Sequence, residues 1–143
     1  VYQAGTLSGN PLAVAAGLAT INLLIELEKG GLYRELDEKT EKFSCELKKA
    51  ADAEGVNITI NQIGSMLTIF FTDKPVFDYI SAKTASESRY ALFFWKMLEE
   101  GIYLPPSQYE AMFISVAHTE EIFKKTLDAS VLAFREIKKQ NKE

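Results

Sequence analysis

The sequence is poor in the residues from which many catalytic and metal sites are built. It has one cysteine, Cys45, and one histidine, His118, which excludes an internal disulfide and a histidine-rich metal site. A chain with no internal disulfide is typical of a reducing compartment, and we expect a cytoplasmic protein. Cys45 has polar neighbours in a predicted helix, without a nearby histidine or helix N-terminus, so we do not expect a catalytic thiol or a metal site.

Blocks of like charge and a long membrane-spanning run are also missing. The 20 acidic and 16 basic residues give a net charge of −4 and are scattered along the chain. A nucleic-acid partner would call for a basic stripe, and none is visible. The apolar run over 12–27 is shorter than the ~20 residues that span a bilayer, and it contains Gly17, Thr20 and Asn22. We therefore expect no membrane partner and interpret the run as a buried helix.

What the sequence does have is enough apolar residues for one folded domain. Its 143 residues are 47% hydrophobic and 11% aromatic, which excludes a disordered chain. Asn10 followed by Pro11 predicts a helix start, because asparagine is a favoured N-cap and proline is tolerated at the first helical position. The predicted helix is apolar on nearly every face, so other protein should enclose it. Gly30 and Gly31 end it.

The remaining pattern predicts an α+β fold. The elements expected after the first helix are a helix from Leu32 to near Gly55, strands over 56–60 and 66–72 joined by a turn over 61–64, a helix whose apolar face runs from Tyr90 to Leu98 and which ends at Gly101, short strands over 102–104 and 112–116, and a last helix capped by Thr119. Hairpin-like turns predict an antiparallel sheet with helices on one face, preceded by the long buried helix. We expect residues 1–27 to be a connecting loop and helix, and 28–143 to be a small domain.

A stretch of turn and capping residues, Gly-Thr-Leu-Ser-Gly-Asn-Pro, runs from Gly5 to Pro11. It is neither the Gly-x-Ser-x-Gly nucleophile elbow nor a phosphate-binding loop that ends in Gly-Lys-Ser/Thr. Its backbone amides and hydroxyls stand close to a helix N-terminus, which suits an anion. An ordinary capped turn explains the same residues, and the residues alone leave both interpretations open.

A second polar stretch lies between predicted strands. Pro105 and Pro106 stiffen a turn, and Ser107, Gln108 and Glu110 follow at once. A carboxylate held there can orient an amine or relay a proton, although a solvated loop acid is the simpler interpretation. Further on, we expect His118 to lie at a strand-to-helix junction with a backbone partner, rather than to act as a catalytic base.

Taken together, these motifs resemble the class III pyridoxal-phosphate-dependent aminotransferase family over nearly the whole chain. The class pattern is carried by "GTLSGNP", and similarity to its glutamate-1-semialdehyde aminomutase members is carried by "GSM", "GIYLPPSQYEAMFIS" and "AHT". The resemblance is to the C-terminal portion only. It implies the small C-terminal domain of the type I pyridoxal-phosphate-dependent transferase fold, in a homodimer whose large catalytic domain lies upstream.

The resemblance also implies site residues. Gly5 and Thr6 would contact the phosphate of the pyridoxal 5'-phosphate in the neighbouring subunit, Tyr2 would lie near the substrate of the adjacent active site, and Glu110 would face the substrate as the catalytic acid. The implied reaction isomerises glutamate-1-semialdehyde to 5-aminolevulinate, a precursor in tetrapyrrole (porphyrin) biosynthesis, by intramolecular amino transfer. In this family the Schiff-base lysine lies upstream, so we expect the isolated chain to be inactive.

Two alternatives stay open. One is the C-terminal domain of another class III aminotransferase that acts on an ω-amino acid, and the other is a free-standing α+β interaction domain. The Ser-Gln-aromatic-Glu string from Ser107 to Glu110 favours the aminomutase over the first alternative.

Overall fold

A computed structural model describes residues 4–140. Its elements are α1 (Pro11–Lys29), α2 (Leu32–Glu54), β1 (Thr59–Ile63), β2 (Met66–Phe70), α3 (Tyr79–Ala82), α4 (Glu87–Glu99), β3 (Met112–Phe113) and α5 (Glu120–Gln140). The chain divides into two compact units, one that ends at Glu35 and one that begins at Leu36, and each is described by itself. The domain boundary expected after residue 27 stays a prediction.

The start and the end of α1 are as predicted. The side chain of the N-cap residue Asn10 accepts a hydrogen bond from the Ala13 N–H at 3.1 Å, and Pro11 occupies the first turn. At the other end, the N–H of Gly30 donates to the Leu27 carbonyl at 3.0 Å. These local signals are strong because each satisfies a backbone group that the helix itself leaves unpaired.

The predicted burial of α1 is not found within this chain. No residue of α1 is buried by the part of the chain that the structure describes. The large apolar side chains that it exposes are Leu12, Val14, Leu18, Ile21, Leu23, Leu24, Ile25 and Leu27. By length and composition alone α1 would also reach across a membrane, so the length argument against a span was wrong. A helix that is apolar on all faces needs protein or lipid around its whole circumference.

In the second unit, three antiparallel strands form a sheet in the order β1-β2-β3. Thr59 pairs with Phe70 at one end of the β1–β2 ladder and Ile63 pairs with Met66 at the other. The two residues between them form the hairpin loop, where Gly64 has a φ of 54°, a conformation that glycine adopts without steric strain.

The main core lies on one face of this sheet, which confirms the predicted α+β architecture, although the short helix α3 contributes Ala82 to a cluster on the other face. Leu67 and Ile69 point to this side and are 1% and 2% exposed. They share a cluster with residues of α2, α4 and α5, including Phe43, Leu47, Phe93, Met97, Phe134 and Ile137. Phe70 points the other way and joins a small cluster with Val76, Ala82 and Ala85.

The first predicted strand was placed three residues too early. Val56 and Ile58 are buried, as their alternation indicated, but pairing begins only at Thr59 and includes residues 61–63, so that Gly64 alone of the predicted turn residues lies in the loop. Asn61 is a strand residue whose side chain donates to the Val76 carbonyl at 2.8 Å. Alternation therefore reported burial correctly and pairing incorrectly.

The later strands are also shorter than predicted. No strand is assigned over 102–104 in the described chain, since the Ile102 N–H donates to Met97 at the end of α4, at 2.8 Å. The strand expected over 112–116 stops at Phe113. The Ser115 N–H donates to the ring Nδ1 of His118 at 2.9 Å. This hydrogen bond belongs to a turn, so the Ser115 N–H is not available to pair with a neighbouring strand.

Candidate functional site

The loop before α1, here called the Gly5 loop (residues 5–10), consists of two consecutive turns. The Ser8 N–H donates to the Gly5 carbonyl at 3.1 Å, and the Asn10 N–H donates to the Leu7 carbonyl at 3.0 Å. Every residue of the loop is exposed. The Thr6 hydroxyl makes no hydrogen bond within residues 4–140, so it is free to serve a ligand.

Two further features suit the Gly5 loop to an anion. A Cβ added at Gly5 would lie 2.6 Å from the Ser8 Oγ, so a larger residue would displace a hydroxyl of the loop. The first turn of α1 contains no acidic residue, and the exposed N-terminal end of a helix carries a partial positive charge. The loop therefore offers a glycine, a free hydroxyl and a helix end without a competing carboxylate, and these features fit a phosphate group.

The second polar stretch is a tight turn, here called the Glu110 turn (residues 105–110). The Glu110 N–H donates to the Ser107 carbonyl at 3.1 Å and closes the turn. From outside, the Tyr90 hydroxyl donates to the Pro105 carbonyl at 2.7 Å. The Thr68 hydroxyl of β2 donates to the Glu110 carbonyl at 3.4 Å. The backbone that carries Glu110 is thus fixed at both of its ends.

The carboxylate of Glu110 is exposed and makes no hydrogen bond or ion pair with another residue of the described range. Burial raises the pKa of the Tyr90 hydroxyl to about 12, and the negative charge of Glu110 acts in the same direction. A fixed backbone with a free carboxylate is the arrangement that binding of a cationic group requires.

Gln108 is the one member of the Glu110 turn that points inward. It is 3% exposed, and its side-chain amide approaches the Tyr109 hydroxyl, but neither Nε2 nor Oε1 makes a hydrogen bond of normal geometry among the described residues. Its neighbour Tyr109 donates from its hydroxyl to Glu87 at 2.7 Å. This hydrogen bond raises the pKa of Tyr109, and the Gln108 amide acts in the opposite direction. Buried polar atoms without partners are rare in folded proteins, and they mark positions of functional interest.

A cavity of about 590 Å³ opens beside the turn. Pro105, Pro106 and Glu110 form one part of its wall, and the rest is mainly apolar core. His118 also borders it, but its Nδ1 accepts the Ser115 N–H. The prediction that His118 belongs to the junction before the last helix, with a backbone partner, is confirmed.

The predicted site residues fall into three groups. Tyr2 lies outside the described residues. Gly5 and Thr6 belong to the first unit and Glu110 to the second, and their roles remain predictions. Among residues 4–140 no group of three or more His, Cys, Asp or Glu side chains is placed to hold a metal ion.

Neither the hydrogen bond of the Tyr90 hydroxyl nor the burial of Gln108 was predicted from the sequence. Tyr90 was placed on the apolar face of its helix, which is correct for the ring, but periodicity carries no information about a hydroxyl that bonds 15 residues away. Gln108 stands between polar and exposed neighbours, so no local pattern distinguishes it from a solvated residue.

Comparison with solved structures gives the class of fold. A transaminase with pyridoxal phosphate bound matches 100% of this chain and 31% of its own, with a TM-score of 0.75 and 20% identity. An omega-transaminase from Sphaerobacter thermophilus matches 94% of this chain and 30% of its own, with a TM-score of 0.75 and 18% identity. The chain therefore has the fold of a part of these transaminases.

Sequence comparison finds relatives that are named for one enzyme. The glutamate-1-semialdehyde 2,1-aminomutase of Anaeromyxobacter sp. (strain Fw109-5) is 50% identical over 139 residues, which is 97% of this chain and 32% of the relative. That of Sulfurihydrogenibium azorense is 50% identical over 135 residues, or 94% of this chain and 31% of the relative. No family model matches. The chain spans about a third of the length of these curated relatives, and the predicted resemblance to a portion of an aminomutase is confirmed.

Proposed function

We propose that this chain is the C-terminal part of a glutamate-1-semialdehyde 2,1-aminomutase. The full enzyme would isomerise glutamate-1-semialdehyde to 5-aminolevulinate in tetrapyrrole biosynthesis, as a cytoplasmic homodimer that uses pyridoxal phosphate. The observation that carries the proposal is 50% identity to an aminomutase over 97% of the chain. The ω-amino-acid alternative has weaker support, because the matched omega-transaminase is 18% identical and shares only the fold.

The Gly5 loop would hold the phosphate of the cofactor. Thr6 would donate its free hydroxyl, and Gly5 would let the phosphate approach the backbone next to Ser8, where a Cβ would collide with the hydroxyl. When bound, pyridoxal phosphate supplies the electron sink and accepts and returns the amino group of the substrate. The contribution of the loop is to retain and orient the cofactor through charge-assisted hydrogen bonds.

Glu110 would bind the ammonium group of the substrate. Its carboxylate is exposed on a turn whose backbone is anchored at the Pro105 carbonyl and at the Glu110 carbonyl, so the range of positions open to the negative charge is limited before the substrate arrives. Pre-organisation of this kind lowers the entropic part of the barrier. The same carboxylate can also accept or return a proton at the substrate nitrogen. Tyr2 would contribute to the neighbouring substrate site.

A chimera tests the proposal. This chain replaces the matching third of the Anaeromyxobacter relative, and the purified protein is assayed for 5-aminolevulinate formed from glutamate-1-semialdehyde. We expect turnover within about ten-fold of the unaltered relative, since the two chains are 50% identical over 139 residues. Matched controls are Thr6→Val and Glu110→Gln. A soluble, cofactor-loaded chimera that makes no 5-aminolevulinate but transaminates an ω-amino acid would contradict the proposal and support the alternative.

A further inference from the structure

The first turn of α4 holds the Glu110 turn at two points. Tyr90 donates to the Pro105 carbonyl at 2.7 Å, and Glu87 accepts from the Tyr109 hydroxyl at 2.7 Å. Glu87 and Tyr90 are three positions apart, so they lie on the same face of the helix. The helix therefore contacts both the beginning and the end of the turn, and it is the natural reference for the position of Glu110.

The two contacts are not equivalent. Tyr90 is 4% exposed, whereas Tyr109 is 42% exposed. Water can replace the partner of Tyr109, but loss of the Tyr90 hydroxyl would leave the Pro105 carbonyl with a poorly solvated lone pair. Buried hydrogen bonds are costly to break for this reason, and exposed ones contribute little. Tyr90 is thus the stronger of the two constraints on the turn.

The position of the Tyr90 hydroxyl is itself determined by the core. The Tyr90 ring packs edge-on against the Phe71 ring, with 6.4 Å between the ring centroids. The centroids of the Phe71 and Phe93 rings are 5.5 Å apart. All three side chains belong to the main hydrophobic cluster. Close-packed aromatic rings do not shift without disturbing their neighbours. The core therefore determines where the Tyr90 hydroxyl lies, and the hydrogen bond to that hydroxyl determines where the Pro105 carbonyl lies. Because the turn is short, the position of Pro105 restricts the position of Glu110.

We propose that Tyr90 is a positioning residue for Glu110: its hydroxyl, carried on a buried ring and engaged in a partly buried hydrogen bond, ties the Glu110 turn to the core and keeps the carboxylate where the substrate ammonium binds. This inference rests on the proposed function. Tyr90 has no direct part in the chemistry, since its hydroxyl is engaged by the Pro105 carbonyl. It acts through the direction of the Glu110 carboxylate, which lies five residues beyond Pro105.

A double-mutant cycle in the chimeric enzyme tests this. Tyr90→Phe keeps the ring and removes only the hydroxyl, so the core stays packed. We expect kcat for 5-aminolevulinate formation to fall about ten-fold, as for a catalytic group displaced by a fraction of an ångström. In the Glu110→Gln background the same change should lower kcat by less than about two-fold, because the carboxylate that Tyr90 positions is already gone. Tyr33→Phe, which removes an exposed phenol on α2, is the matched control and should match the parent.

Hydrogen exchange supplies a readout that does not depend on activity. In Tyr90→Phe the amides of residues 107–111 should exchange about five-fold faster than in the parent, while the amides of α5 stay unchanged. Equal losses of kcat in both backgrounds, a parent-like kcat, or unchanged exchange at the turn would overturn the inference. If the parent chimera makes no 5-aminolevulinate, the proposed function fails, and the exchange comparison alone decides whether Tyr90 anchors the turn.

Discussion

Alkaline titration of Tyr90 gives a test that needs only the 143-residue chain. Burial, with a further contribution from the charge of Glu110, raises the pKa of Tyr90 from 10.0 to about 12. The folded state therefore keeps its phenolic proton over a pH range in which the unfolded chain loses it. Stability from this source is fully present below pH 10 and is lost as the pH rises from about 10 to about 12.

The size of the effect follows from the same numbers. A pKa difference of one unit corresponds to about 1.4 kcal/mol, so a rise from 10.0 to about 12 corresponds to roughly 2–3 kcal/mol. Because the hydrogen bond of the Tyr90 hydroxyl is only partly buried, solvent screening reduces this contribution to about 1–2 kcal/mol. Between pH 9 and pH 12 the unfolding free energy of the parent should therefore fall further than that of Tyr90→Phe, by the amount given above, because the variant has no phenolic proton to lose at this position.

The assay is urea unfolding followed by circular dichroism at several pH values from 9 to 12. At pH 9 the variant should be less stable than the parent by about 1 kcal/mol, the usual value of one hydrogen bond. By pH 12 that deficit should disappear and reverse. Tyr33→Phe, the control for an exposed phenol, should follow the parent curve. If the unfolding free energies of the parent and of Tyr90→Phe change with pH in parallel, the phenol is not held in a desolvated site. That result would also contradict the inferred role of its hydrogen bond to Pro105.

Changes at the other site residues should have separable effects. Glu110→Gln in the chimera should lower turnover about ten- to hundred-fold with little change in thermal midpoint, because it removes one charge-assisted contact to the substrate; parent-like turnover would make Glu110 a solvated loop acid. Thr6→Val should weaken pyridoxal phosphate retention in equilibrium dialysis by about 1.5–3 kcal/mol, with Thr6→Ser as the control that keeps the hydroxyl. Gln108→Met should stabilise the chain by about 1 kcal/mol in urea unfolding, since it removes a buried amide without a well-formed hydrogen bond, and a loss of stability would mean that the contact of the amide with Tyr109 is a stabilising one. Borohydride reduction of the isolated chain with pyridoxal phosphate should give no stoichiometric adduct at a single lysine, and mass spectrometry that located one would refute the expected inactivity.

Local capping chemistry predicted the helices well. Asn10 and Pro11 began α1, and glycines marked the ends of helices, as at Gly101, which has a φ of 78° after α4. These signals work because the capping residue satisfies groups within a few positions along the chain. They do not depend on tertiary contacts, so a single sequence is sufficient to find them.

Strand pairing and the geometry of the site could not be predicted in the same way. Val56 and Leu104 are buried without being in a ladder, because apolar alternation reports the side of the chain that faces the core and not the partner of its backbone. The hydrogen bond from Tyr90 to Pro105 is a tertiary contact made by a side-chain hydroxyl. Hydrophobic periodicity in the sequence does not predict such a contact. The motifs located the two loops, and only the fold showed that a core tyrosine anchors one of them.

The uniform apolarity of α1 has a consequence for how that helix can be oriented. An amphipathic helix has one rotational setting about its axis that buries its apolar stripe, but a helix apolar on every face gains about the same solvation free energy at any angle. Its angle must then be selected by shape, through the small residues Ala13, Ala16 and Gly17 that permit close approach on one side. The Gly5 loop turns with the helix through the Asn10 cap. Steric fit along α1, rather than hydrophobicity, would thus set the direction in which the Thr6 hydroxyl points.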